Sequence, residues 1–265
     1  MVYKLTSYLF LALVLSGCTS LQDKGTHLSD ETNEKVFIST GNYPKLIEFY
    51  KKQLKDDEDS KTRIKLVNAY ERVNDYSSAI FYLEPLLGEA SKATVEVNIL
   101  AGRAYLNQGD FQQAKLYLER ANKQEVSNAE VMNLLGVLAS YQGDFPTAKK
   151  WFLASRTAMG DDKKVKNNLA LIAMLEGDFE TAKYLLIQLV EDKSAPQKKV
   201  RSNLALVYAK LGDKAAFNDL IRQSDRIKKD ELFAQLQQVQ LVNMSSLMSN
   251  SPLDNGDTDE TPLSK

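Results

Sequence analysis

The sequence predicts an all-α solenoid in which about six helical hairpins stack on one another. The tripeptide Gly-Asp-Phe occurs three times at a spacing of 34 residues, beginning at Gly109, Gly143 and Gly177. Weaker copies of the same turn continue the register: Gly41, Asn74 and Gly212. The intervals between the six turns are 33, 35, 34, 34 and 35 residues. A fixed period near 34 residues is typical of stacked helical hairpins.

Each residue of the repeat has a physical role in a hairpin. The Gly ends a first helix where a left-handed residue is needed. The Asp caps a second helix with its side-chain oxygen, and the aromatic residue fills the wedge between the two helices. Small residues at matching positions allow close approach: Gly102, Gly136 and Ala170 on first helices, and Ala114, Ala148 and Ala182 on second helices. One hairpin cannot bury its apolar stripe alone, so neighbours must stack.

Composition excludes several classes of function. The 265 residues are 43% hydrophobic, and the formal net charge of -1 offers no basic field for nucleic acid. The single Cys18 and single His27 predict neither an internal disulfide nor a nucleophile–His pair. The repeated Asp110, Asp144 and Asp178 lie on separate turns and are interpreted as helix caps. We therefore predict no enzyme, cofactor, metal or small-molecule substrate.

The first seventeen residues have the features of a signal peptide. Lys4 supplies a positive n-region, and residues 8–15 form an apolar stretch. This stretch is shorter than the roughly 20 residues that are needed to span a bilayer. We interpret residues 1–17 as a segment that directs export and is then removed.

The residues that follow resemble the lipobox of bacterial lipoproteins. The motif is Leu15-Ser16-Gly17-Cys18, and it implies cleavage after Gly17 and attachment of lipid, including palmitate, to Cys18. The next residue is Thr19 rather than Asp, which in such lipoproteins implies the outer membrane, with the body facing the periplasm. Residues 18–33 are polar and read as the lipidated cysteine and a flexible tether of roughly 20 Å.

The solenoid is predicted to occupy residues 34–224. Apolar periodicity and capping signals, such as Ser127 with Glu130, divide it into helices. The predicted pairs are 35–40 with 44–54, 60–73 with 77–87, 94–107 with 112–122, 128–141 with 146–157, 163–175 with 180–190, and 196–211 with 215–223. The sixth hairpin departs from the pattern, because Lys214 replaces the aromatic residue and Phe217 replaces the Ala. We expect it to behave as an end of the stack.

The segment 225–249 is predicted to form a longer helix, which runs from residue 225 to about residue 248. Its apolar side would carry Leu232, Leu236, Val239 and Val242. A stack needs a terminal element that covers its last apolar face and turns polar residues outward, so we interpret the segment as a capping helix. A docking helix for a partner is the alternative. Residues 250–265 are acidic and rich in Pro, Asp, Ser and Thr, and are predicted to be disordered.

The first helices carry the candidate binding surface. Four amides fall at similar positions of successive repeats and would form a ladder: Asn133, Asn167, Asn168 and Asn203. Amide side chains donate to and accept from a peptide backbone with little sequence demand. Arg103, Lys164 and Lys199 are expected to add positive charge for acidic or carboxylate groups. A solvated helix surface, or contacts between repeats, would explain the same residues.

Over residues 35–223 the chain resembles the tetratricopeptide-repeat family, which implies a right-handed superhelical solenoid. Residues 165–171 (Val-Lys-Asn-Asn-Leu-Ala-Leu) and 200–206 (Val-Arg-Ser-Asn-Leu-Ala-Leu) further resemble the TadD lipoproteins of tight-adherence (Flp, type IVb) pilus systems. This resemblance implies a periplasm-facing scaffold that helps a secretin, or another pilus-assembly protein, to assemble or localise. The partner would be held by capture of a peptide or helix, and the lipid anchor would hold the protein at the membrane.

Two other classes remain open for such a repeat lipoprotein. One is a pilotin of a type IVa pilus. The other is an adaptor for a periplasmic protease or cell-wall enzyme. Neither the composition nor the repeat register distinguishes them from the tight-adherence class.

Overall fold

The structure is a computed structural model, and it describes residues 30–88, 93–192, 197–221 and 226–241. The predicted signal peptide, Cys18, His27 and the acidic tail at 250–265 lie outside these ranges. Pro196, predicted in the first turn of a helix, also lies outside them.

Thirteen α-helices and no strand occur in the described ranges. Their bounds are α1 Asp30–Ser39, α2 Tyr43–Asp56, α3 Ser60–Arg72, α4 Tyr76–Leu87, α5 Val95–Gln108, α6 Phe111–Gln124, α7 Ala129–Tyr141, α8 Phe145–Thr157, α9 Asp162–Leu175, α10 Phe179–Glu191, α11 Gln197–Leu211, α12 Lys214–Leu220 and α13 Arg226–Gln238. In this described part, none of the helices combines the length and apolarity that crossing a bilayer requires.

The helices form six hairpins, from α1–α2 to α11–α12, and each helix packs against the next along the chain. The first helices of neighbouring hairpins also contact one another, in the pairs α3–α5, α5–α7 and α7–α9. Helix α13 packs on α11 and α12 and so covers the last hairpin. The predicted all-α solenoid is confirmed.

The turns inside the hairpins follow one design. All six turn residues are left-handed, from φ 59° at Asn74 to φ 88° at Gly109. The next residue caps the second helix, as when Asp110 accepts from the backbone N–H of Gln113 at 3.0 Å. The same bond is formed by the equivalent residues of the other hairpins: Asn42, Asp75, Asp144, Asp178 and Asp213. The interpretation of the repeated carboxylates as caps is confirmed.

The small residues hold the two helices of a hairpin close together. A Cβ atom added to Gly102 would lie 2.6 Å from the side chain of Leu118, and one added to Gly136 would lie 2.6 Å from the ring of Phe152. Real Cβ atoms do not approach so closely. The alanines of the second helices are fully buried: Ala79, Ala114, Ala148 and Ala182.

Helix α1 begins at Asp30, inside the segment predicted to be tether. Its acidic first turn is favourable at a helix N-terminus. Contacts with later helices then hold it, because Glu34 accepts a hydrogen bond from the Tyr50 hydroxyl at 2.7 Å and pairs with Lys65 Nζ at 2.8 Å. The folded body therefore starts earlier than predicted.

One local prediction is also corrected. Helix α7 is capped by Asn128, not by Ser127, because Asn128 Oδ1 accepts from the backbone N–H groups of Glu130 and Val131 at 3.0 and 3.1 Å. In the second hairpin the ring of Tyr70 stacks on Tyr82 with centroids 5.5 Å apart.

The C-terminal end is shorter than predicted. Helix α12 ends at Leu220, and α13 ends at Gln238, after which residues 239–241 are not helical. Phe233 is the buried anchor of α13, packing edge-on against Phe217 with ring centroids 5.1 Å apart. Because Phe217 replaces the small Ala of the other hairpins, α12 carries an aromatic ring at this position, and Phe233 covers it. The predicted apolar side is therefore rotated, and Leu232 is 40% exposed.

Candidate protein-binding groove

The first helices α3, α5, α7, α9 and α11 form one face of the stack, which we call the concave groove. A cavity of about 350 Å³ on this face is lined by Asn68 of α3, Asn107 of α5 and Lys164 of α9. Helix α9 belongs to the hairpin two units beyond α5. Residues so far apart in the stack can line one cavity only if the face curves inward.

The asparagine ladder is partly formed. Asn168 Nδ2 donates to Asn133 Oδ1 at 3.0 Å, so the two amides join α9 to α7. Asn167 and Asn203 lie half-buried on α9 and α11. The bond uses one acceptor of Asn133 and one donor of Asn168, whereas each amide carries two donor hydrogens and an oxygen with two lone pairs. This pair is thus a contact between repeats that retains capacity for a peptide backbone.

Arg103 does not supply the free positive charge that the sequence suggested. Its guanidinium forms two parallel bonds to Glu71, with Nη2 2.7 Å from Oε2 and Nε 3.0 Å from Oε1. Its Nη1 also donates to Glu130 at 2.7 Å. Burial alone would lower the pKa of Arg103, but the bonds and charges of these two carboxylates raise it. The network carries a net negative charge and ties together α3, α5 and α7.

Lys164 and Lys199 are exposed on the groove face, at the same position of successive repeats. Among the described residues, no carboxylate pairs with either ammonium group. Lys164 also lines a second cavity, of about 240 Å³, together with Asn133 and Glu130. The positive charge predicted for the groove therefore rests on these two lysines.

The groove also has an apolar part that the sequence analysis missed. The first helices differ at two positions, which lie six and two residues before the turn residue. Both positions are polar in hairpins two and three. The later hairpins place apolar side chains there, except for Lys210 of hairpin six, and we call these residues the apolar track: Val137, Tyr141, Leu171, Leu175 and Leu206. Tyr141 and Leu171 are 39% and 37% exposed. Comparing equivalent positions across the repeats would have found this track from the sequence.

Comparisons with known proteins agree with this geometry. A family model described as a tetratricopeptide repeat matches residues 99–162. A chain in the crystal structure of the APC/C hetero-tetramer Cut9-Hcn1 is similar over 76% of this chain, with a TM-score of 0.61 and 15% identity. The fold is a tetratricopeptide-repeat solenoid. This chain covers 41% of that relative's length, and the likeness concerns the fold.

A search of curated proteins found no match. The tetratricopeptide-repeat fold is generally a scaffold for protein–protein interaction, with its concave surface as the binding face. Within the described residues, no group of three or more His, Cys, Asp and Glu side chains is placed to hold a metal ion.

Proposed function

We propose that this tetratricopeptide-repeat protein captures an extended or helical segment of a partner protein in its concave groove. The observation that carries the proposal is the amide pair Asn133–Asn168, which projects from two adjacent first helices. Asn167 and Asn203 continue the amides along α9 and α11. The ammonium groups of Lys164 and Lys199, which pair with no carboxylate of the described residues, favour a partner segment with acidic or carboxylate groups.

The proposal places the protein at the outer membrane, facing the periplasm. The support is the lipobox-like segment ending at Cys18, followed by Thr19. A lipid on Cys18 would hold the body near the membrane, because few residues separate Cys18 from the start of α1 at Asp30.

The partner proposed is a secretin, or another assembly protein, of a tight-adherence pilus. The support is the combination of the lipobox-like segment, six hairpins and the Asn-Leu-Ala segments at 168–170 and 203–205. The mechanism is anchoring and segment capture without turnover. By holding its partner at the outer membrane, the scaffold would raise the local concentration of subunits and so favour their assembly.

The test replaces Asn133, Asn167, Asn168 and Asn203 together with Ala. Each lost hydrogen bond is worth about 0.5–1.5 kcal/mol, so we expect affinity for the partner to fall at least about tenfold. Partner recovery from cross-linked, solubilised membranes and the level of secretin multimers are the measurements. Both should drop, while helical circular dichroism and membrane location are retained.

The matched control replaces four exposed residues of second helices with Ala: Glu84, Gln112, Glu119 and Lys150. This variant should recover the partner as the wild type does. Equal recovery by the asparagine variant would remove the groove amides from the proposal. Recovery of a protease, a cell-wall enzyme or a type IVa pilus protein in place of a tight-adherence protein would reject the partner class.

A further inference from the structure

Residues 239–241, which follow α13, lie against the repeats. Residues Val239, Gln240 and Leu241 turn back across the end of the fifth hairpin, where they line one cleft with Leu175, Phe179 and Lys210. The cleft retains a cavity of about 450 Å³ beside the segment. The C-terminal segment therefore enters a site on the repeats without filling it.

The attachment of this segment is slight. Lys210 Nζ donates to the backbone oxygen of Gln237, in the last turn of α13 just before the segment, at 2.8 Å. Leu241 is half-buried against the apolar cluster of the last hairpins, whereas Val239 is 37% exposed. An extended segment held by one half-buried side chain and few hydrogen bonds opens at low free-energy cost.

The cleft is a feature of the repeat, because an equivalent cleft exists at hairpins two and three. In the repeat register Leu175 corresponds to Arg72, Phe179 to Tyr76 and Lys210 to Asn107. Those three equivalents line the open cavity that Lys164 also reaches. The same place on the solenoid thus holds Arg72, Tyr76 and Asn107 near one end, and Leu175, Phe179 and Lys210 beside residues 239–241 near the other.

We propose that the cleft of hairpins five and six binds an extended segment with two apolar side chains separated by one polar residue. In the free protein the occupant is the chain's own Val239-Gln240-Leu241, and a partner segment of the same chemistry displaces it. This inference rests on the proposed function, in that the displacing segment belongs to the captured protein. It extends the proposed function by naming the kind of ligand that the apolar end of the groove would bind.

Intramolecular occupation predicts a measurable competition. A segment tethered to its own cleft has an effective concentration of the order of millimolar. A free peptide must compete with that concentration in the wild type. Removing the two apolar side chains of the internal segment should therefore raise the affinity of the free peptide at least about tenfold.

The experiment measures fluorescence anisotropy of a labelled peptide with the sequence of residues 236–245 against the full-length chain. The double variant Val239→Asp, Leu241→Asp should bind it at least about tenfold more tightly than the wild type. A control variant, Gln235→Ser with Gln238→Ser, changes exposed residues of α13 that do not line the cleft, and it should behave as the wild type. A peptide with Ser at the positions of Val239 and Leu241 should bind neither the wild type nor the double variant.

Cleft variants locate the binding. Adding Leu175→Asp to the double variant should abolish peptide binding, and adding Lys210→Ala should weaken it. Lys210 is partly exposed, so the second variant keeps the test valid if the first fails to fold by circular dichroism. Equal binding by the wild type and the Asp variant, or binding by neither, would overturn the inference. Because no partner is used, that result leaves the asparagine test of the proposed function untouched.

Discussion

At the scale of the residue, the repeat depends on small residues where the two helices of a hairpin meet. The four alanines that follow the turns are fully buried, and Gly102 and Gly136 of the first helices leave no room for a Cβ atom. Their size was predictable from the sequence because the same small residue recurs at the same position. The identity of the neighbour was not, since Leu118 faces Gly102 and Phe152 faces Gly136.

Ala148→Phe should lower the melting temperature clearly. Ala148 is fully buried, and overpacking a filled core costs about 1–3 kcal/mol. The matched control is Lys150→Phe, at an exposed position of the same helix. The neighbouring Lys149 is unsuitable as a control because its Nζ pairs with Glu176 Oε2 at 2.6 Å. Similar losses for Ala148→Phe and Lys150→Phe would contradict the packing described here.

Gly136→Ala should be destabilising although Ala is the better helix former. The intrinsic gain is about 1 kcal/mol, whereas the new Cβ atom would meet the ring of Phe152, which is 1% exposed and cannot move aside. We expect overpacking to win, at about 1–3 kcal/mol. Gly88→Ala is the counterpart: Gly88 has right-handed φ and no atom closer than 3.9 Å, so stability should hold or rise. Thermal unfolding of the two variants checks the difference in sign.

At the scale of the element, the residues of each turn determine the turns inside the hairpins. Contacts between helices determine where the first helix begins and the last helix ends. The six turns and their caps could be predicted because each needs only its own residues. The start of α1 could not, since the contacts of Glu34 with Tyr50 and Lys65 join three helices. The end of α13 could not either, because the residues that follow it lie beside Leu175 of another hairpin.

The carboxylate caps should make the solenoid sensitive to acid. Bonds from the side chain and backbone of Thr147 lower the pKa of Asp144, and those of Thr181 lower that of Asp178. A folded pKa below the ordinary 3.8 means that this stabilisation is present above pH 3.8. It is lost as the pH falls through the depressed folded values.

The variant Asp144→Asn with Asp178→Asn tests this linkage, because Asn caps a helix about as well as Asp but carries no charge. Its melting temperature should fall less than that of the wild type between about pH 5 and pH 2. Asp56→Asn, at an exposed residue that caps no helix, should keep the wild-type slope. A double variant as acid-sensitive as the wild type would show that other carboxylates govern the transition.

At the scale of the whole molecule, the groove changes character along its length. The position six residues before the turn is Asn68 and Arg103 in hairpins two and three, but Val137, Leu171 and Leu206 in the later ones. The bond between Asn133 and Asn168 could be anticipated because stacking brings neighbouring positions of successive first helices together. The carboxylates around Arg103 were not, because Glu71 and Glu130 lie at different positions of different repeats. A partner segment would thus meet polar groups at one end and apolar groups at the other.

The location of the whole molecule is predicted to depend on one residue. Cys18 follows a short apolar segment, and no helix of the described part can cross a bilayer. Cys18→Ser should therefore leave the protein uncleaved or release its body into the soluble fraction, as measured by fractionation and immunoblot. Thr19→Asp keeps the cysteine and should move the protein from the outer to the inner membrane, which separates anchoring from sorting. If the Cys18→Ser protein stays with the outer membrane after a high-salt wash, the body has a second membrane contact and Cys18 is not the sole anchor.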